Sequence, residues 1–525
     1  MGFVFPCASN VPRWMLLAVL LLALARGALA ADEARIVVRK FRVVGNTLLS
    51  QKTIKKALDP FVNRPLALRD IKAAARTLRG LYRQRGYLMA YAYVPPQDFL
   101  DDTVELRVQQ GKYGKVSVDG NRYYSDDFIL HYFQPARSEG YVLARKMEHA
   151  LLVLNQFTDL KVQSVLEARK DGTVAVTLKT KDQWPVHATL DFDNFGAVVV
   201  GKNRAGASVT AGSTITEGDL LALKVTYPFE VSGAQPFVFA TYGVPIGYQG
   251  ARLEASFAHA TTIVGGALAQ AGIQGEAKIG TLRLNVNDRL DLRHADVWFY
   301  EIVAKDVKNT GLNRAVAISD DEIREVGIGH RGSASSKDGK AYAAHSYELL
   351  GGLGQLLGGS AHGSSTSRPG ADDGFARVTL DALVTYKVIT DGFVLLRLSG
   401  QMATGPLVVA EQFAVGGPDS VRAYQQGEFL GDDGYAVTAE YRHTVRQKAH
   451  SNVQALLFAD HGGASLKKPS ANETARKDLT AAGVGLRGTY GSGFTVRLDM
   501  GFCVDPTFNI DHEKSRLNAQ ASYRF

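Results

Sequence analysis

The chain has 525 residues, 46% of them hydrophobic, with 53 glycines and 16 prolines, a length that accommodates several domains. Its formal net charge of +8 is uneven, because residues 35–110 carry 15 Lys/Arg against 6 Asp/Glu. A basic module usually indicates nucleic acid, but the exported protein predicted below meets little of it, so we expect no nucleic-acid partner. The two cysteines, Cys7 and Cys503, exclude a disulfide framework.

Residues 1–30 have the order of a secretory signal peptide. Arg13 precedes an apolar run at 15–25, and a small-residue site, Ala-Leu-Ala, follows at 28–30. The run is too short to span a bilayer, so we expect cleavage before Ala31, with an uncleaved anchor as the alternative. Farther along, no stretch reaches the roughly 20 apolar residues of a membrane helix. The exported protein is therefore expected to be either soluble or a β-barrel.

The next stretch predicts two similar α+β modules, at 31–111 and 112–182. Each has the order β-α-α-β-β, read from alternating apolar residues in strands and helical spacing of apolar residues in helices. The predicted elements of the first module are strand 36–44, helices 50–58 and 68–85, and strands 87–94 and 103–108. Those of the second module are strand 115–118, helices 125–133 and 142–157, and strands 162–168 and 173–180. The pair resembles POTRA modules, the periplasmic polypeptide-binding domains attached to outer-membrane barrels; two unrelated α+β domains are the alternative.

A basic stripe lies on the long helix predicted in the first module. Its five residues recur at a spacing of three and four; they are Arg69, Lys72, Arg76, Arg79 and Arg83. Such a stripe can attract an acidic unfolded client or anionic headgroups. The alternative is an ordinary solvated helix face.

The remainder, 183–525, alternates between apolar and polar positions and has no helical period. In the run 377–388 the even positions are apolar and the odd positions are largely polar. A soluble sandwich would alternate too, but repeated charge on the second face, as at Arg252 and Glu254, favours a wet barrel lumen. Strands of roughly ten residues predict a transmembrane antiparallel β-barrel of about 16 strands. The Gly/Ser-rich stretch 331–374 is expected to form extracellular loops.

The C-terminal segment is a further amphipathic strand. Its apolar face includes Leu517, Tyr523 and Phe525, and the opposite face carries Arg516 and Arg524. A strand that ends the chain on Phe resembles the signal that the barrel-assembly machinery reads in bacterial outer-membrane proteins. We therefore expect Tyr523 and Phe525 to act in assembly, the alternative being a strand that ends in Phe by chance.

Two short motifs lie in the barrel segment. The first is Val421, Arg422, Ala423 and Tyr424; the second is Phe458, Asp460 and Gly462. Both resemble motifs of two-partner secretion transporters, the hemolysin activator and filamentous hemagglutinin transporter family. The resemblance implies that the loop at 421–424 folds into the lumen and that Arg422 contacts Asp460. Ala423 replaces a glycine of the family motif, which requires a negative φ there. A routine surface ion pair is the alternative.

The resemblances imply an outer-membrane transporter of a Gram-negative bacterium, with its modules in the periplasm. It would bind an unfolded exoprotein and conduct it to the cell surface, with activation of a hemolysin-like or adhesin-like client left open. Its expected partners are that client, outer-membrane lipids and, during biogenesis, the barrel-assembly machinery.

No motif indicates catalysis, a metal or a cofactor, so we expect no enzyme. The alternatives are a barrel-assembly factor, which two modules rather than three or five argue against, and a barrel enzyme. Relatives commonly place a plug helix ahead of the first module. Since only about five residues separate Ala31 from the first predicted strand, we expect gating by the loop around Arg422 or by other loops.

Overall fold

The computed structural model of the chain describes residues 34–98, 101–360, 365–371, 373–504 and 513–525, so the predicted signal lies outside the described residues. None of the described helices is both long enough and apolar enough to cross a bilayer. The chain forms two compact units. The first runs to Val116 and includes Ala136–Met147 and Val165–Thr177; the second comprises Ser117–Pro135, Glu148–Ser164 and Leu178–Phe525.

The first module has the predicted β-α-α-β-β order with one additional ladder. Its strands are β1 Ile36–Val38, β2 Lys40–Val44, β3 Arg64–Leu66, β4 Tyr91–Tyr93 and β5 Thr103–Gln109, and its helices are α1 Gln51–Leu58 and α2 Leu68–Gln84. The main sheet has the order β2-β5-β4, with β2 and β5 parallel, and β1 pairs with β3. The predicted strand 87–94 is wrong in its first half, because the Leu88 N–H donates to the Gly86 carbonyl in a turn.

The core of the first module is formed by the apolar face of α2. Its buried residues lie at helical spacing: Ile71, Ala74, Ala75, Leu78 and Tyr82. The helix begins at Leu68, where the Asp70 carboxylate accepts a hydrogen bond from the Ala67 N–H at 3.1 Å, satisfying one donor at the helix start. The basic stripe therefore lies on the faces of α2 that point away from the core.

The second module repeats the order. Its elements are β6 Lys112–Asp119, α3 Asp126–Arg137, α4 Ala144–Leu154, β7 Leu160–Ala168 and β8 Thr173–Asp182, with the sheet order β6-β8-β7. Burial would raise the pKa of the Asp182 carboxyl, but N–H donors from the turn Arg122–Tyr124 lower it below its ordinary value. The following residue, Ser125, donates through N–H and Oγ to the Glu217 carboxylate at 2.9 and 2.7 Å. Both carboxylates therefore fix the start of α3.

The rest of the chain forms a closed antiparallel barrel of 16 strands, as predicted. The first eight are β9 Val186–Asp193, β10 Arg204–Gly212, β11 Leu220–Pro228, β12 Phe237–Ile246, β13 Ala251–Ile263, β14 Gln274–Leu290, β15 His294–Gly311 and β16 Val316–Ser335. The others are β17 Ala341–Gly352, β18 Ala376–Ile389, β19 Gly392–Ala403, β22 Asp433–Lys448, β23 Ser451–Ser465, β24 Arg476–Tyr490, β25 Phe494–Cys503 and β26 Ser515–Arg524. A small hairpin, β20 Phe413–Val415 with β21 Phe429–Gly431, lies outside the barrel ladder. Because the barrel is closed, each of its strands pairs with a neighbour on both sides. Such pairing satisfies the backbone N–H and C=O groups, as the hydrocarbon interior of a membrane requires.

The predicted loop 331–374 is wrong over most of its first half. Strand β16 continues to Ser335, and β17 occupies Ala341–Gly352. Small residues are strand residues here because neighbouring side chains fill the space: a Cβ on Gly332 of β16 would lie 2.6 Å from Cε1 of His345 on β17. The stretch between β17 and β18 does form a loop.

The seam between the last and first strands is short. Strand β26 pairs with β9 over five residues, 520–524 with 189–193. Beyond the ladder, the Asn194 Nδ2 donates to the Leu517 carbonyl and its Oδ1 accepts from the Ala519 N–H, both at 2.8 Å. At the other end the Phe525 N–H donates to the Ala188 carbonyl at 2.9 Å. These bonds extend the closure of the barrel.

We predict that Phe525→Ala lowers the amount of barrel inserted in the outer membrane, while the inserted fraction keeps its thermal stability. The variant keeps the backbone donor to Ala188 and loses only a ring that is 66% exposed, a surface change that shifts stability by roughly 0.5 kcal/mol or less. Membrane fractionation and heat-modifiable gel mobility measure the two quantities. Phe494→Ala, which removes an exposed ring of β25, is the matched control. A normal level of inserted Phe525→Ala would refute the assembly signal.

Candidate functional site

The site is built on the segment 404–432, which joins β19 to β22 and which we call the inward loop. It begins with a 3-10 turn, Val409–Glu411, continues through the hairpin β20–β21, and reaches its tip at 416–428. The motif residues at the tip are fully or nearly fully buried: Val421, Ala423 and Tyr424 are 0% exposed and Arg422 is 2% exposed. A loop with buried polar residues of this kind requires partners inside the barrel.

The tip packs against the inner wall through apolar contacts. The tip residues Val421, Ala423 and Tyr424, together with Val415 of β20, form a buried cluster with Ala464 of β23 and with Leu479 and Ala481 of β24. Gly462 of the second motif permits this approach, because a Cβ there would lie 2.9 Å from Val415 Cγ2. Ala423 is not among the residues with positive φ, so the methyl group that replaces the family's glycine causes no backbone strain.

The guanidinium of Arg422 lies against the carboxylate of Asp460. Its Nε and Nη2 donate to the two carboxylate oxygens of Asp460, each at 2.7 Å, and its backbone N–H donates to Oδ2 at 3.2 Å. The guanidinium carbon also lies 3.4 Å from the ring centroid of Phe458. This combines a two-bond ion pair with a cation–π contact at a site that is nearly closed to solvent.

Two further carboxylates, not anticipated from the sequence, complete the surroundings of Arg422. Glu440 of β22 accepts from Nη1 at 2.6 Å, and Asp499 of β25 lies 3.7 Å from the same nitrogen. The Asn518 Nδ2 of β26 donates to the Arg422 carbonyl at 2.8 Å. The loop tip therefore contacts side chains from β22, β23, β25 and β26.

These contacts belong to a larger set of alternating charges, which we call the tip network. It consists of Arg422, Arg442, Arg487, Arg497, Asp419, Glu440, Asp460 and Asp499. Four guanidinium groups face four carboxylates, so the set is neutral. The loop contributes one residue of each sign, Asp419 and Arg422, so the wall is also neutral by itself. The sequence shows charged residues at lumen-facing positions, such as Arg497 and Asp499. Which of these residues contact one another depends on strand register.

A buried ion pair closes the base of the inward loop. Both Asp432 carboxylate oxygens accept from Nη1 of Arg368, each at 2.6 Å, and Asp432 also accepts from the Leu407 and Lys467 N–H groups. Because Arg368 and Lys467 belong to the loops on either side of the inward loop, one carboxylate joins three loops at the outer end of the barrel.

The basic stripe is not uniform. Lys72, Arg76 and Arg83 are exposed on α2, whereas Arg79 is half-buried with its guanidinium 5.4 Å from the ring centroid of Tyr91 on β4. Arg79 therefore packs against the sheet edge while its neighbours extend into solvent.

Comparison with known proteins gives two family matches. A family model described as "Haemolysin secretion/activation protein ShlB/FhaC/HecB" matches residues 172–488, and one described as "POTRA domain, ShlB-type" matches residues 36–111. The first match covers more than half of the chain and includes both sequence motifs.

Individual relatives are distant. The chain is 21% identical over 485 residues to the heme/hemopexin transporter protein HuxB of Haemophilus influenzae, covering 86% of this chain and 80% of the relative. The fold is similar to CdiB from Escherichia coli, with a TM-score of 0.76, 16% identity, and coverage of 95% of this chain and 92% of that one. It is less similar to a BamA from Haemophilus ducreyi lacking POTRA domains 1–3, with a TM-score of 0.55, 11% identity, and coverage of 93% and 100%.

We predict that Arg422→Ala and Asp460→Ala each displace the inward loop while leaving the amount of folded barrel near normal. Removing one partner of a buried pair costs roughly 3–5 kcal/mol, and less where water reaches the site. The double variant is expected to be little worse than either single variant, since both lose the same contact. Secretion of the client, normalised to inserted barrel, measures the effect.

Arg446→Ala is the matched control for these variants, because Arg446 is an exposed arginine of β22 that is outside the tip network and does not line the cavity beside it. Secretion by Arg422→Ala at the wild-type rate would show that the inward loop is not the functional element. Fully additive losses in the double variant would show that the two residues act separately.

Proposed function

The chain belongs to the haemolysin secretion/activation protein family ShlB/FhaC/HecB, and on this premise we propose how it moves an exoprotein across the outer membrane. Family members are outer-membrane transporters whose POTRA modules lie in the periplasm. The proposed path is the barrel lumen, and the inward loop closes it until a client displaces the tip. The observation that carries the proposal is the tip itself, a buried charged segment held by a network that is neutral on both the loop side and the wall side.

The balance of charge in the tip network supports a loop that can move. When Asp419 and Arg422 leave, the wall retains Arg442 beside Glu440, and Arg487 and Arg497 beside Asp499. Only Asp460 loses its main partner. A polar cavity of ≈ 80 Å³ borders the network and is lined by Arg422, Glu440 and Arg442 among others, enough room for water to reach the Arg422 side of the ion pair. The free-energy cost of releasing the tip from the wall is therefore at the lower end of the range for breaking a buried ion pair.

Capture of the client is proposed to occur on the periplasmic modules. Strand β4 is an edge of the first sheet, and its Tyr91 and Tyr93 rings are stacked with centroids 5.8 Å apart. An extended polypeptide can add to such an edge through main-chain hydrogen bonds without strict sequence requirements. The neighbouring basic stripe on α2 supplies attraction for acidic segments. Capture by strand addition suits an unfolded client of any sequence.

We propose that the remaining partners are outer-membrane lipids around the apolar barrel face and, during biogenesis, the assembly machinery. The transport steps described here are exchanges of non-covalent contacts, and they need no catalytic group. An assembly factor that inserts other barrels is the second candidate, since the fold also resembles BamA. That likeness, at 11% identity, concerns the fold alone, whereas the family match favours secretion.

The proposal is tested by comparing proteins in the culture medium of wild-type and deletion strains. Loss of one large secreted protein, restored by the wild-type chain and not by Arg422→Ala, would support a dedicated transporter. A general loss of outer-membrane proteins would support the assembly factor instead. An unchanged medium with unchanged membrane proteins would contradict both functions.

We predict that Lys72→Glu combined with Arg76→Glu weakens binding of an unfolded client segment to the full-length protein in nanodiscs, and reduces the salt dependence of that binding. Both residues are exposed on α2, so the changes alter charge without disturbing Arg79 on Tyr91. Lys55→Glu with Lys56→Glu, an equal charge change on the exposed part of α1, is the matched control. Equal affinity and equal salt dependence in both double variants would identify the stripe as an ordinary solvated face.

A further inference from the structure

A second buried cluster of charges contacts the inward loop in its first arm, the segment between β19 and the tip. Glu411, at the end of the 3-10 turn in the loop's first arm, is 2% exposed. Lys305 of β15 donates to its Oε1 at 2.5 Å, and Nη2 of Arg377 on β18 lies 2.8 Å from its Oε2. The loop therefore presents a carboxylate to wall cations here, whereas Arg422 presents a cation to wall carboxylates at the tip.

The wall carries its own carboxylate beside the same two cations. Glu325 of β16, whose side chain is 0% exposed, lies 2.8 Å from Lys305 and 3.6 Å from Arg377. We call Glu325, Lys305, Arg377 and Glu411 the arm cluster. It has two charges of each sign, so it is neutral with the loop in place. If Glu411 departs, both cations still face a carboxylate.

Several ion pairs in the arm cluster do not have the geometry of hydrogen bonds. Neither carboxylate oxygen of Glu325 has a hydrogen-bond partner of acceptable geometry, nor does Oε2 of Glu411. Ion pairs without aligned hydrogen bonds repay only part of the cost of burying their charges. Two carboxylates thus compete for two cations, and neither carboxylate is saturated.

We propose that Glu411 is a positioning residue that holds the arm of the inward loop in the lumen, and that Glu325 makes this hold releasable by taking over both cations when the arm leaves. The proposal rests on the proposed function, in which the inward loop moves for transport. It assigns to the loop a second contact point, on β15, β16 and β18, that neither sequence motif includes. Loss of Glu411 from the cluster is followed by hydration of its carboxylate, and Glu325 remains as a counter-charge beside both cations.

The two carboxylates are predicted to act in opposite directions, which a merely structural role would not produce. Glu411→Gln, nearly isosteric, removes the charge by which the arm is held. Glu325→Gln removes the competitor and leaves Glu411 as the carboxylate that pairs with both Lys305 and Arg377. The first variant should therefore shift the loop outward, and the second should hold it in place.

The position of the loop can be read from a native thiol. Cys503 of β25 is half-buried, and its Sγ lies 3.6 Å from the carbonyl oxygen of Ala423 at the loop tip. The rate at which a membrane-impermeant maleimide labels Cys503 of the inserted, full-length protein on whole cells should rise when the tip leaves. Hydrogen bonds to charged groups contribute enough free energy to shift the equilibrium between the inward and the displaced loop. Labelling is therefore expected to be about tenfold faster in Glu411→Gln and about tenfold slower in Glu325→Gln.

Two further variants make the result interpretable. Glu254→Gln, a lumen carboxylate on β13 that hydrogen-bonds Asn285 of β14, is the matched control and should label at the wild-type rate. Arg422→Ala should label faster if the tip leaves at all, and its failure to do so would overturn the proposed function. Faster labelling of Arg422→Ala with unchanged labelling of Glu411→Gln would overturn the arm cluster alone, as would shifts of both glutamine variants in the same direction. If Glu411→Gln does not insert, Glu325→Gln decides: slower labelling supports the proposal, and unchanged or faster labelling overturns it.

Discussion

The constraint on which this structure depends is the burial of one guanidinium group. Arg422 is 2% exposed within the barrel, and a charge in that position is tolerated only with counter-charges and hydrogen bonds around it. The carboxylate partners come from three strands, with Glu440 opposite Phe458 in the β22–β23 ladder and Asp499 opposite Asn518 in the β25–β26 ladder. Strand register, loop position and charge balance therefore depend on one another.

The same contacts couple the loop to barrel closure. Asn518 of β26 holds the carbonyl of Arg422, and β26 is also the strand that closes the barrel through a ladder of only five residues. Asn194 lengthens that seam by bonding to the β26 backbone. The strand with the shortest ladder is thus also in contact with the inward loop. The polar contacts of that loop can be exchanged for contacts with water, whereas its apolar cluster with Ala464, Leu479 and Ala481 loses its stabilisation on hydration.

Many features of the fold were predictable because they are local. Apolar residues repeat every 2 residues in β18 and every 3.6 residues on the buried face of α2. Each period can be recognised within a single segment of the sequence. The count of about 16 strands followed from the length of the segment 183–525, divided into strands of roughly ten residues with their turns and loops. The stretch 331–352 was predicted incorrectly, because glycines such as Gly332 lie in strands where side chains of neighbouring strands fill the space beside them, and composition carries no information about a neighbouring strand.

At the site, the sequence by itself determined that a loop motif and a strand motif resemble those of one transporter family, and this resemblance implied that Arg422 contacts Asp460. Only the tertiary structure decided that Glu440 and Asp499 join them and that Glu411 meets Lys305 on the far side of the loop. The physical reason is that an ion pair depends on distances of a few ångströms between residues far apart in the chain. Those distances are set by strand register and by the path of the loop through the lumen, and no periodicity in the sequence encodes either.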